Sequence, residues 1–448
     1  MPTQTGPPRT IAPLYAHGKE VAKQIFLDVM KAIDVRTAMR AKLNRHDDAL
    51  MAGDIHKPLL RPPCVIAFGK AANKMALGLN EILGTGVEAG VIVAPAEPAK
   101  KISGFQYFVG GHPYPNAGSM QGARAAIELV STLTPDHLVI FLVSGGGSSL
   151  FEQPIDPAIT LEDLLKFNKL LVTGGLPIEQ INVLRKHLSA VKGGRLATRA
   201  FPAHQLTLYI SDVPEKFPSM VASGPTQPDE STTGECYTLA EKHQLTAKFP
   251  ANIRRLFEER SLEETPKPGD EHFSRSHYSC LLSNRDAVEA AKSAAERAGF
   301  HCEIDANTWD ADFKQVADAN LASLEALKRQ HPGLPVALVV GGEVICPVTG
   351  PGSGGRNQAF VLYAAQRIAG KKQVVLSAGT DGRDGNSPTS GAVADGQTIP
   401  RARDRGFDPA QYAALSDSYH FFRSLGDTLD TGFTDNNVRD VRLWLDFS

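Results

Sequence analysis

Four short apolar runs, each ending in a glycine-rich loop, constrain the fold of this chain more than any other feature. Short runs of Val, Ile and Leu are typical of buried parallel strands. The carboxyl ends of such strands carry the ligand sites of open α/β sheets, where glycine lets backbone N–H groups approach an anion. The runs with their loops are Val65–Lys70, Val139–Ser148, Leu338–Glu343 and Val374–Asp381. The pattern predicts an α/β protein with an anion site at these loops.

The length and charge of the chain limit its class. Its 448 residues exceed what one hydrophobic core usually serves, so two domains are expected. Acidic and basic residues number 49 and 47, and this balance argues against a nucleic-acid partner. No apolar run approaches the ~20 residues that span a bilayer, so no membrane partner is expected either. Small molecules are the predicted partners.

Cysteine usage and the first residues indicate a cytoplasmic protein. The five cysteines are scattered and form no C-x-x-C pair, which favours a reducing compartment without a disulfide framework. The first dozen residues are rich in proline and lack the apolar core of a secretory signal. They are predicted to form a loose tail.

Alternating strand and helix patterns predict βαβ units, and hence Rossmann-like parallel sheets in both domains. Residues 252–277 are charged, contain two prolines, and have the weakest periodicity. We therefore predict a first domain over residues 1–265 and a second over residues 280–448. Apolar spacing predicts one helix over residues 16–43, and Thr160-Leu-Glu-Asp163 has the spacing of a helix capping box.

Two loops of the first domain are candidate phosphate binders. Lys70 follows a predicted strand and precedes a helix, where a cation is disfavoured unless an anion compensates it. The loop Ser144-Gly145-Gly146-Gly147-Ser148 offers consecutive backbone donors and hydroxyl groups, as an anion cradle requires. A solvated surface lysine and a simple turn are the structural alternatives.

Three aspartates are candidate ligands for a metal ion or candidate bases. Asp212 ends a predicted strand, where a carboxylate suits Mg²⁺ or the proton of a substrate hydroxyl. Asp381 and Asp384 lie three residues apart in a glycine loop, and their oxygens also suit Mg²⁺. Turn-forming aspartates are the structural alternative for all three.

The segment Gly350–Gly355 matches the dinucleotide pattern G-x-G-x-x-G ahead of a predicted helix. Arg356 and Asn357 follow at once, and a guanidinium binds carboxylate or phosphate with two parallel hydrogen bonds. The pattern alone does not separate NAD from a ligand that carries phosphate. His112, in a Gly-His-Pro loop, is a candidate for orienting substrate or a structural loop residue.

Taken in order, the motifs resemble the class II glycerate kinases, the MOFRL family, whose members were formerly often labelled hydroxypyruvate reductases. The resemblance covers most of the chain, from Lys70 to Val438. Its main motifs are Gly69-Lys70-Ala-Ala, Gly111-His112-Pro-Tyr-Pro, Ser144-Gly-Gly-Gly-Ser148, Lys192-Gly-Gly-Arg195, Ser211-Asp212-Val, Ala222-Ser223-Gly224-Pro225-Thr226, Gly341-Gly-Glu343, Gly354-Gly-Arg356-Asn357-Gln358 and Gly379-Thr-Asp381-Gly-Arg-Asp384-Gly385.

The resemblance implies two α/β domains with the active site in the cleft between them. It implies phosphorylation of D-glycerate with ATP and Mg²⁺, usually at the 2-hydroxyl. By the same resemblance, Lys70, Asp212 and Arg356 are catalytic, and the Ser144–Ser148 loop binds the nucleotide phosphates. The residues implied to bind substrate are Lys70, His112, Arg356 and Asn357, and those implied to bind metal are Asp212, Asp381 and Asp384.

Two other functions stay open from the sequence alone. The first is an NAD(P)H-dependent reductase of hydroxypyruvate, favoured by the old family label and by the Gly350–Gly355 pattern. The second is a sensor that binds a sugar acid or a nucleotide without turnover. A kinase requires ATP and Mg²⁺, whereas a reductase oxidises NAD(P)H without metal.

Overall fold

The chain folds into two compact domains. The computed structural model describes residues 17–84, 86–214, 217–305 and 311–448, so the predicted N-terminal tail lies outside the described residues. Val35–Leu282 form the first domain, and Ser283–Ser448 form the second together with the segment that ends at Asp34. Both predicted domain limits therefore change, because the N-terminal helix joins the second domain and residues 276–282 form a strand of the first.

The predicted helix over residues 16–43 is two helices, α1 (Gly18–Ala32) and α2 (Val35–Lys42). The apolar face of α1 is buried as its spacing predicts, with Ile25 and Val29 among its buried residues. The chain passes from the second domain to the first between the two helices. The helical spacing of apolar residues continues across residues 33 and 34, so the sequence pattern did not reveal the break between the two helices.

The first domain contains a small antiparallel sheet, β1 to β3, and a large parallel one. Its strands are β1 (Leu43–His46), β2 (Ala49–Ala52), β3 (Ile55–Pro58), β4 (Cys64–Phe68), β5 (Ala89–Ala94), β6 (Phe105–Val109), β7 (Leu138–Val143), β8 (His204–Ile210) and β9 (Ser276–Leu282). Its further helices are α3 (Ala72–Leu83), α4 (Ala117–Val130), α5 (Gly147–Leu150), α6 (Leu161–Thr173), α7 (Ile178–His187), α8 (Arg195–Ala200), α9 (Thr233–Lys242) and α10 (Ala251–Glu258), with short 3-10 helices at Pro218–Ser223, Thr246–Lys248 and Glu271–Phe273.

The large sheet has the strand order of a Rossmann fold. Its order is β6-β5-β4-β7-β8-β9 and all its pairs are parallel, which confirms the predicted parallel sheet. The strand order reverses between β4 and β7, and open sheets bind ligands at the carboxyl ends of the strands at such a switch point. Both strands are fully buried, as central parallel strands are. The switch point therefore lies where Lys70 and the Ser144–Ser148 loop begin.

Helix ends in the first domain follow local sequence signals. The Thr160 hydroxyl accepts a hydrogen bond from Asp163 N (3.1 Å), and Asp163 Oδ2 accepts one from Thr160 N (3.0 Å). This exchange confirms the predicted capping box at the start of α6. Across the described parts of both domains, no helix combines the length and the apolar character needed to cross a membrane.

The second domain is a mixed sheet covered by helices. Its strands are β10 (His301–Asp305), β11 (Ala311–Asp312), β12 (Val336–Val340), β13 (Val344–Ile345), β14 (Gln373–Gly379), β15 (Gly391–Asp395), β16 (Thr428–Leu429) and β17 (Asp440–Asp446). Its helices besides α1 are α11 (Asn284–Arg297), α12 (Phe313–Gln330), α13 (Arg356–Arg367), α14 (Thr398–Asp404), α15 (Pro409–Ala414) and α16 (Ser418–Leu425).

The parallel sheet predicted for the second domain is wrong. In the order β10-β12-β17-β14-β15-β16, the β10–β12 pair is parallel and the remaining pairs are antiparallel. The cause is β17, which inserts between β12 and β14 and runs against both. Its residues are all buried, yet the charged side chains of Asp440, Arg442 and Asp446 interrupt the apolar run that would have marked it as a strand.

Candidate functional site

The loops that follow β4 and β7 interlock at the switch point. Lys70 N donates a hydrogen bond to Gly145 O (2.9 Å), and Ala71 N donates one to Ser144 Oγ (3.0 Å). Gly146 has a φ of 80°, in the left-handed region that glycine adopts without strain, and it turns the chain into α5. The two candidate phosphate loops are therefore in direct contact.

Three candidate side chains converge on the backbone of Gly145 and Gly146. A Cβ at Gly145 would collide with the carboxylate of Asp212. A Cβ at Gly146 would lie 3.2 Å from Lys70 Cγ and 3.0 Å from His112 Cδ2. Lys70, His112 and Asp212 follow three different strands of the sheet, and glycine leaves room for them. We call these three residues and the Ser144–Ser148 loop the glycine-loop site.

A second layer supports the glycine-loop site. Ser148 Oγ and Ser223 Oγ are 2.8 Å apart, and Ser223 Oγ donates to Asn182 Oδ1 (3.1 Å). Ser223 and its neighbour Ala222 both have left-handed φ, at 61° and 51°, a strain that concentrates at functional sites. From the sequence, Ser223 is identified only as part of a family motif and Asn182 is missed, because these contacts join residues 75 and 41 positions apart.

A buried ion pair fixes the chain just beyond the loop. Lys192 is fully buried and pairs with Glu152, which also accepts a hydrogen bond from Ser189 Oγ (2.6 Å). Burial lowers the pKa of Lys192, although the Glu152 carboxylate opposes that shift. Because Glu152 comes two residues after α5, this pair anchors the carboxyl end of the glycine loop.

In the second domain, Arg356 is the first residue of α13 and binds two carboxylates. Its Nε donates to Asp440 Oδ2 (2.6 Å) and its Nη2 to Asp440 Oδ1 (2.8 Å), a bidentate pair. Nη2 also lies 2.7 Å from Glu343 Oε1. Burial disfavours the charged form of both side chains. The Arg356 guanidinium nevertheless lowers the pKa of Asp440, and the Asp440 carboxylate raises the pKa of Arg356. Arg356 is therefore a firmly held cation.

Two further arginines complete this group. Arg439 pairs with Glu343, and the fully buried Arg442 donates from Nη1 to Gly341 O (2.8 Å) and lies 3.4 Å from Asp440 Oδ2. Burial lowers the pKa of Arg442 to about 10. We call Glu343, Arg356, Arg439, Asp440 and Arg442 the arginine–carboxylate cluster. Sequence reasoning assigned a role only to Arg356, although the alternation of charged and apolar residues from Asp440 onward was a usable signal.

The structure places Asn357 and Asp384, the predicted substrate and metal ligands, at the start of α13. Both are fully buried. The Asp384 carboxylate accepts hydrogen bonds from Asn357 N (3.0 Å), Gln358 N (2.8 Å) and Asn357 Nδ2 (3.2 Å), and Asn357 Oδ1 accepts one from Ser377 Oγ. Asp384 therefore caps the start of α13, and Asn357 lies directly behind Arg356 in the same buried network.

The same contacts argue against a dinucleotide site at Gly350–Gly355. In that motif, the N–H groups at the start of the helix bind the pyrophosphate. Here the carboxylate of Asp384 accepts those N–H groups. In addition, β12 and β14 are separated by β17, whereas the motif belongs to adjacent parallel strands. The NAD(P)H alternative therefore loses the support of the Gly350–Gly355 pattern.

Asp381 stays a predicted metal ligand. It follows β14, is half-buried, and its Oδ1 accepts a hydrogen bond from Arg383 N (3.1 Å). Among residues 17–84, 86–214, 217–305 and 311–448, no three His, Cys, Asp or Glu side chains are grouped as a metal site. A protein that binds Mg²⁺ through one or two carboxylates and substrate phosphates needs no such group.

The buried cap at Asp384 predicts a measurable pH dependence. Burial raises its pKa from 3.8 to about 6, so its stabilising contribution is complete below pH 4 and is lost as pH rises through 6. Between pH 5 and pH 7, wild type should lose roughly 1 kcal/mol relative to Asp384→Asn, whose side chain does not titrate. Urea unfolding of both proteins at the two pH values measures this difference, and equal pH dependence would contradict it.

Two family models match separate parts of the chain. Residues 21–258 match a domain of unknown function, DUF4147, and residues 336–440 match the MOFRL family. The chain is 37% identical over 385 residues to a D-glycerate 2-kinase from Thermotoga maritima, covering 85% of this chain and 90% of that one. It is 33% identical over 431 residues to a glycerate 2-kinase from Pyrococcus horikoshii, covering 94% and 96%.

A crystal structure of glycerate kinase from Thermotoga maritima matches with a TM-score of 0.84 at 34% identity, over 96% of this chain and 100% of that one. Fold and sequence together define a two-domain α/β enzyme of the kinase class. Within that class, the chain belongs to the glycerate kinase family that combines a DUF4147 domain with a MOFRL domain.

Proposed function

We propose that this chain transfers a phosphoryl group from ATP to D-glycerate and forms 2-phosphoglycerate. The observation that carries this proposal is the convergence of Lys70, His112 and Asp212 on the Gly145–Gly146 backbone at the switch point of a Rossmann sheet. The names of the related glycerate 2-kinases support the acceptor and the 2-hydroxyl. The free cysteines fit a cytoplasmic location.

The glycine-loop site has the groups needed to bind the phosphates of a nucleoside triphosphate. Ser144 N and Gly147 N donate to Phe68 O (3.1 Å) and Ser144 O (3.2 Å), so Gly145 and Gly146 are the proposed backbone donors to phosphate oxygens. Lys70 adds a positive charge beside them. Ser223 and the Glu152–Lys192 pair hold that loop in place, so it does not have to reorganise when charge develops. Catalysis of phosphoryl transfer consists mainly of such positioning and charge stabilisation.

Asp212 is the proposed base. Its carboxylate takes the proton of the 2-hydroxyl, and the freed oxygen forms a bond to the γ-phosphorus. The bond between that phosphorus and the bridging oxygen breaks, and ADP leaves with the electron pair. His112, beside Gly146, orients the acceptor.

Arg356 is the proposed partner of the anionic groups of the substrate. Its side chain is one-third exposed (33%), so it is accessible although Asp440 and Glu343 bind it. A guanidinium held by a bidentate carboxylate presents its remaining N–H groups in a fixed plane. Asn357 and Asp384 act indirectly, because they fix the start of the helix that carries Arg356.

The donors at Asp212 fit a magnesium ion. The Asp212 carboxylate lies beside the Gly145 backbone, where the phosphates are proposed to bind, and carboxylate oxygens are ligands that Mg²⁺ uses together with substrate phosphates. When bound there, Mg²⁺ would neutralise charge on the phosphate oxygens. Asp381 and Asp384 are the other carboxylates predicted to bind metal, and the Asp384 oxygens accept the N–H groups at the start of α13.

A ³¹P NMR experiment tests the proposal directly. Purified protein with ATP, Mg²⁺ and D-glycerate should give a phosphomonoester signal that matches 2-phosphoglycerate. A 3-phosphoglycerate signal would keep the kinase and change the acceptor hydroxyl. Absence of any phosphomonoester, with NADH oxidised by hydroxypyruvate in a parallel sample, would replace the kinase with the reductase.

A further inference from the structure

Arg185, near the end of α7, is a half-buried cation that forms no ion pair with any carboxylate in the described parts of the chain. Charged side chains that leave bulk water are normally paired, because the charged form loses its hydration. The catalytic proposal assigns no role to Arg185. A guanidinium group in this state suits an anion that a ligand supplies.

The guanidinium group of Arg185 is held at one edge and open at the other. Its Nε donates to Asn168 Oδ1 (2.8 Å), and Asn168 is fixed in turn because its Nδ2 donates to Leu164 O (2.8 Å). Nη1 and Nη2 donate no hydrogen bond within the residues that the structure describes, and neither nitrogen is enclosed by protein, so both are open to solvent. The free edge between them can donate two parallel hydrogen bonds to one carboxylate.

Helix α7 carries Arg185 on the face that contacts the glycine loop. Asn182 lies one turn earlier on the same helix, and residues three apart are neighbours on a helix surface. Asn182 Oδ1 accepts a hydrogen bond from Ser223 Oγ (3.1 Å), and Ser223 Oγ lies 2.8 Å from Ser148 Oγ. Arg185 is therefore next to the serine that ends the glycine loop.

Electrostatic interactions link the same guanidinium group to two further segments of the site. Arg185 interacts with Glu152, which comes two residues after α5, and with Tyr114, which comes two residues after His112. A Cβ on Gly146 would lie 3.0 Å from His112 Cδ2, so the loop that carries Tyr114 reaches the glycine loop. Arg185 therefore lies where the His112 loop meets the chain beyond the glycine loop.

The charges around Arg185 leave its own charge uncompensated. Both oxygens of the Glu152 carboxylate are occupied, since Oε2 pairs with Lys192 and Oε1 accepts a hydrogen bond from Ser189 Oγ (2.6 Å). Burial lowers the pKa of Arg185, and the Glu152 carboxylate opposes this shift without cancelling it. The Arg185 charge in turn lowers the pKa of Lys192. Two cations thus share one carboxylate, so Arg185 adds repulsion at this place instead of stability.

We infer that Arg185 binds the carboxylate of the acceptor through Nη1 and Nη2, while Asn168 holds its Nε edge. This inference rests on the proposed function and names the residue that recognises the acid group of D-glycerate. The two oxygens of a carboxylate lie in one plane and match the two parallel N–H groups. The phosphates of ATP have other proposed partners, Lys70 and the backbone of the glycine loop. His112, proposed to orient the acceptor, and Arg185 then act on the same molecule.

Steady-state kinetics of Arg185→Gln test this inference. KM for D-glycerate should rise about 10²-fold, because two charged hydrogen bonds to the acceptor are lost. KM for ATP and kcat should change by less than about threefold, since the lost contact binds the acceptor equally before and during the reaction. Arg185→Lys keeps the charge without the planar pair of donors and should recover about tenfold of the loss. An unchanged KM for D-glycerate, or a rise in KM for ATP in its place, would overturn the inference.

Stability separates acceptor binding from a structural role of Arg185. Because Arg185 lacks an ion pair in the described residues and repels Lys192, Arg185→Gln should unfold at the urea concentration of wild type or at a higher one. The matched control is Arg254→Ala, which removes an exposed arginine on α10 of the same domain that pairs with Glu258. It should leave KM for D-glycerate unchanged. Lower stability of Arg185→Gln, with an equal rise in both KM values, would show a structural role and contradict acceptor binding.

Binding without turnover distinguishes failure of this inference from failure of the proposed function. Calorimetric titration of D-glycerate into the full chain, with a nonhydrolysable ATP analogue present, should show affinity about 10²-fold weaker in Arg185→Gln than in wild type. If wild type forms no phosphomonoester but this difference persists, the proposed function fails and the carboxylate site stands. If wild type phosphorylates D-glycerate and both proteins bind it equally, the proposed function stands and the inference fails. A wild type that neither binds nor phosphorylates D-glycerate overturns both.

Discussion

Replacing Lys70 with alanine should lower kcat/KM for D-glycerate phosphorylation about 10²–10³-fold, the usual effect of removing one charged group that stabilises a transition state. Negative charge spreads over the oxygens of the transferring group, and Lys70 is the cation of the glycine-loop site. A Cβ built on Gly146 would lie 3.2 Å from Lys70 Cγ. The aliphatic part of the Lys70 side chain therefore lies next to the loop proposed to hold the phosphates. Steady-state assays with D-glycerate and ATP varied in turn measure the effect.

The control for Lys70→Ala is Lys166→Ala. Lys166 lies on α6 of the same domain, is 64% exposed, and pairs with Glu162 one turn away. Its loss should change activity little, because surface pairs of this kind contribute less than about 1 kcal/mol to stability. Unfolding of Lys70→Ala by urea should match wild type. A Lys70→Ala enzyme within about threefold of wild-type kcat/KM would remove Lys70 from the catalytic machinery, since the proposed charge effect is far larger.

The glycine-loop site could be predicted because its signals are local. Each apolar run marks a strand, each glycine marks where the strand ends, and parallel topology brings the ends of neighbouring strands to one edge of the sheet. Lys70 and Asp212 are assigned to the same edge by these rules without any knowledge of tertiary contacts. Their convergence on Gly145 and Gly146 is the detail that required coordinates.

The second domain was harder to predict because its determinants are distant in sequence. The bidentate pair of Arg356 and Asp440 joins residues 84 positions apart. Strand β17, which carries Asp440, makes the centre of the sheet antiparallel. The charged residues of β17 interrupt the run of apolar residues by which a buried strand is usually recognised. The partner of each residue cannot be read from either segment by itself, even where the alternation of charged and apolar residues indicates a strand.

Asn357 and Asp384 illustrate a different limit. Amide and carboxylate groups in a glycine loop are as well suited to a substrate or metal ion as to the N–H groups of a helix start. In the structure, Asp384 is buried and accepts hydrogen bonds from Asn357 N and Gln358 N. Residue type and spacing are the same for both uses, so the sequence alone could not predict this helix cap.

Strand β17 also gives the largest expected effect on stability. Asp440→Ala should lower the free energy of unfolding of the second domain by about 3–5 kcal/mol, the cost of leaving a buried charge without its partner. Asp440 is fully buried between Arg356 and the fully buried Arg442. Urea unfolding followed by tryptophan fluorescence measures this change, because Trp444 lies in β17. Glu325→Ala, which removes an exposed pair with Lys371 in the same domain, is the control and should cost less than about 1 kcal/mol.

A compensating substitution separates charge from packing at this position. In Asp440→Ala/Arg442→Met, the uncompensated buried guanidinium is replaced by an apolar side chain, so a large part of the lost stability should return. Activity should stay low in both variants, because Arg356 has lost the carboxylate that fixes its plane. If the double variant were as unstable as Asp440→Ala, the loss would come from the cavity and not from Arg442. If it regained activity as well as stability, the orientation of Arg356 by Asp440 would not matter for the reaction.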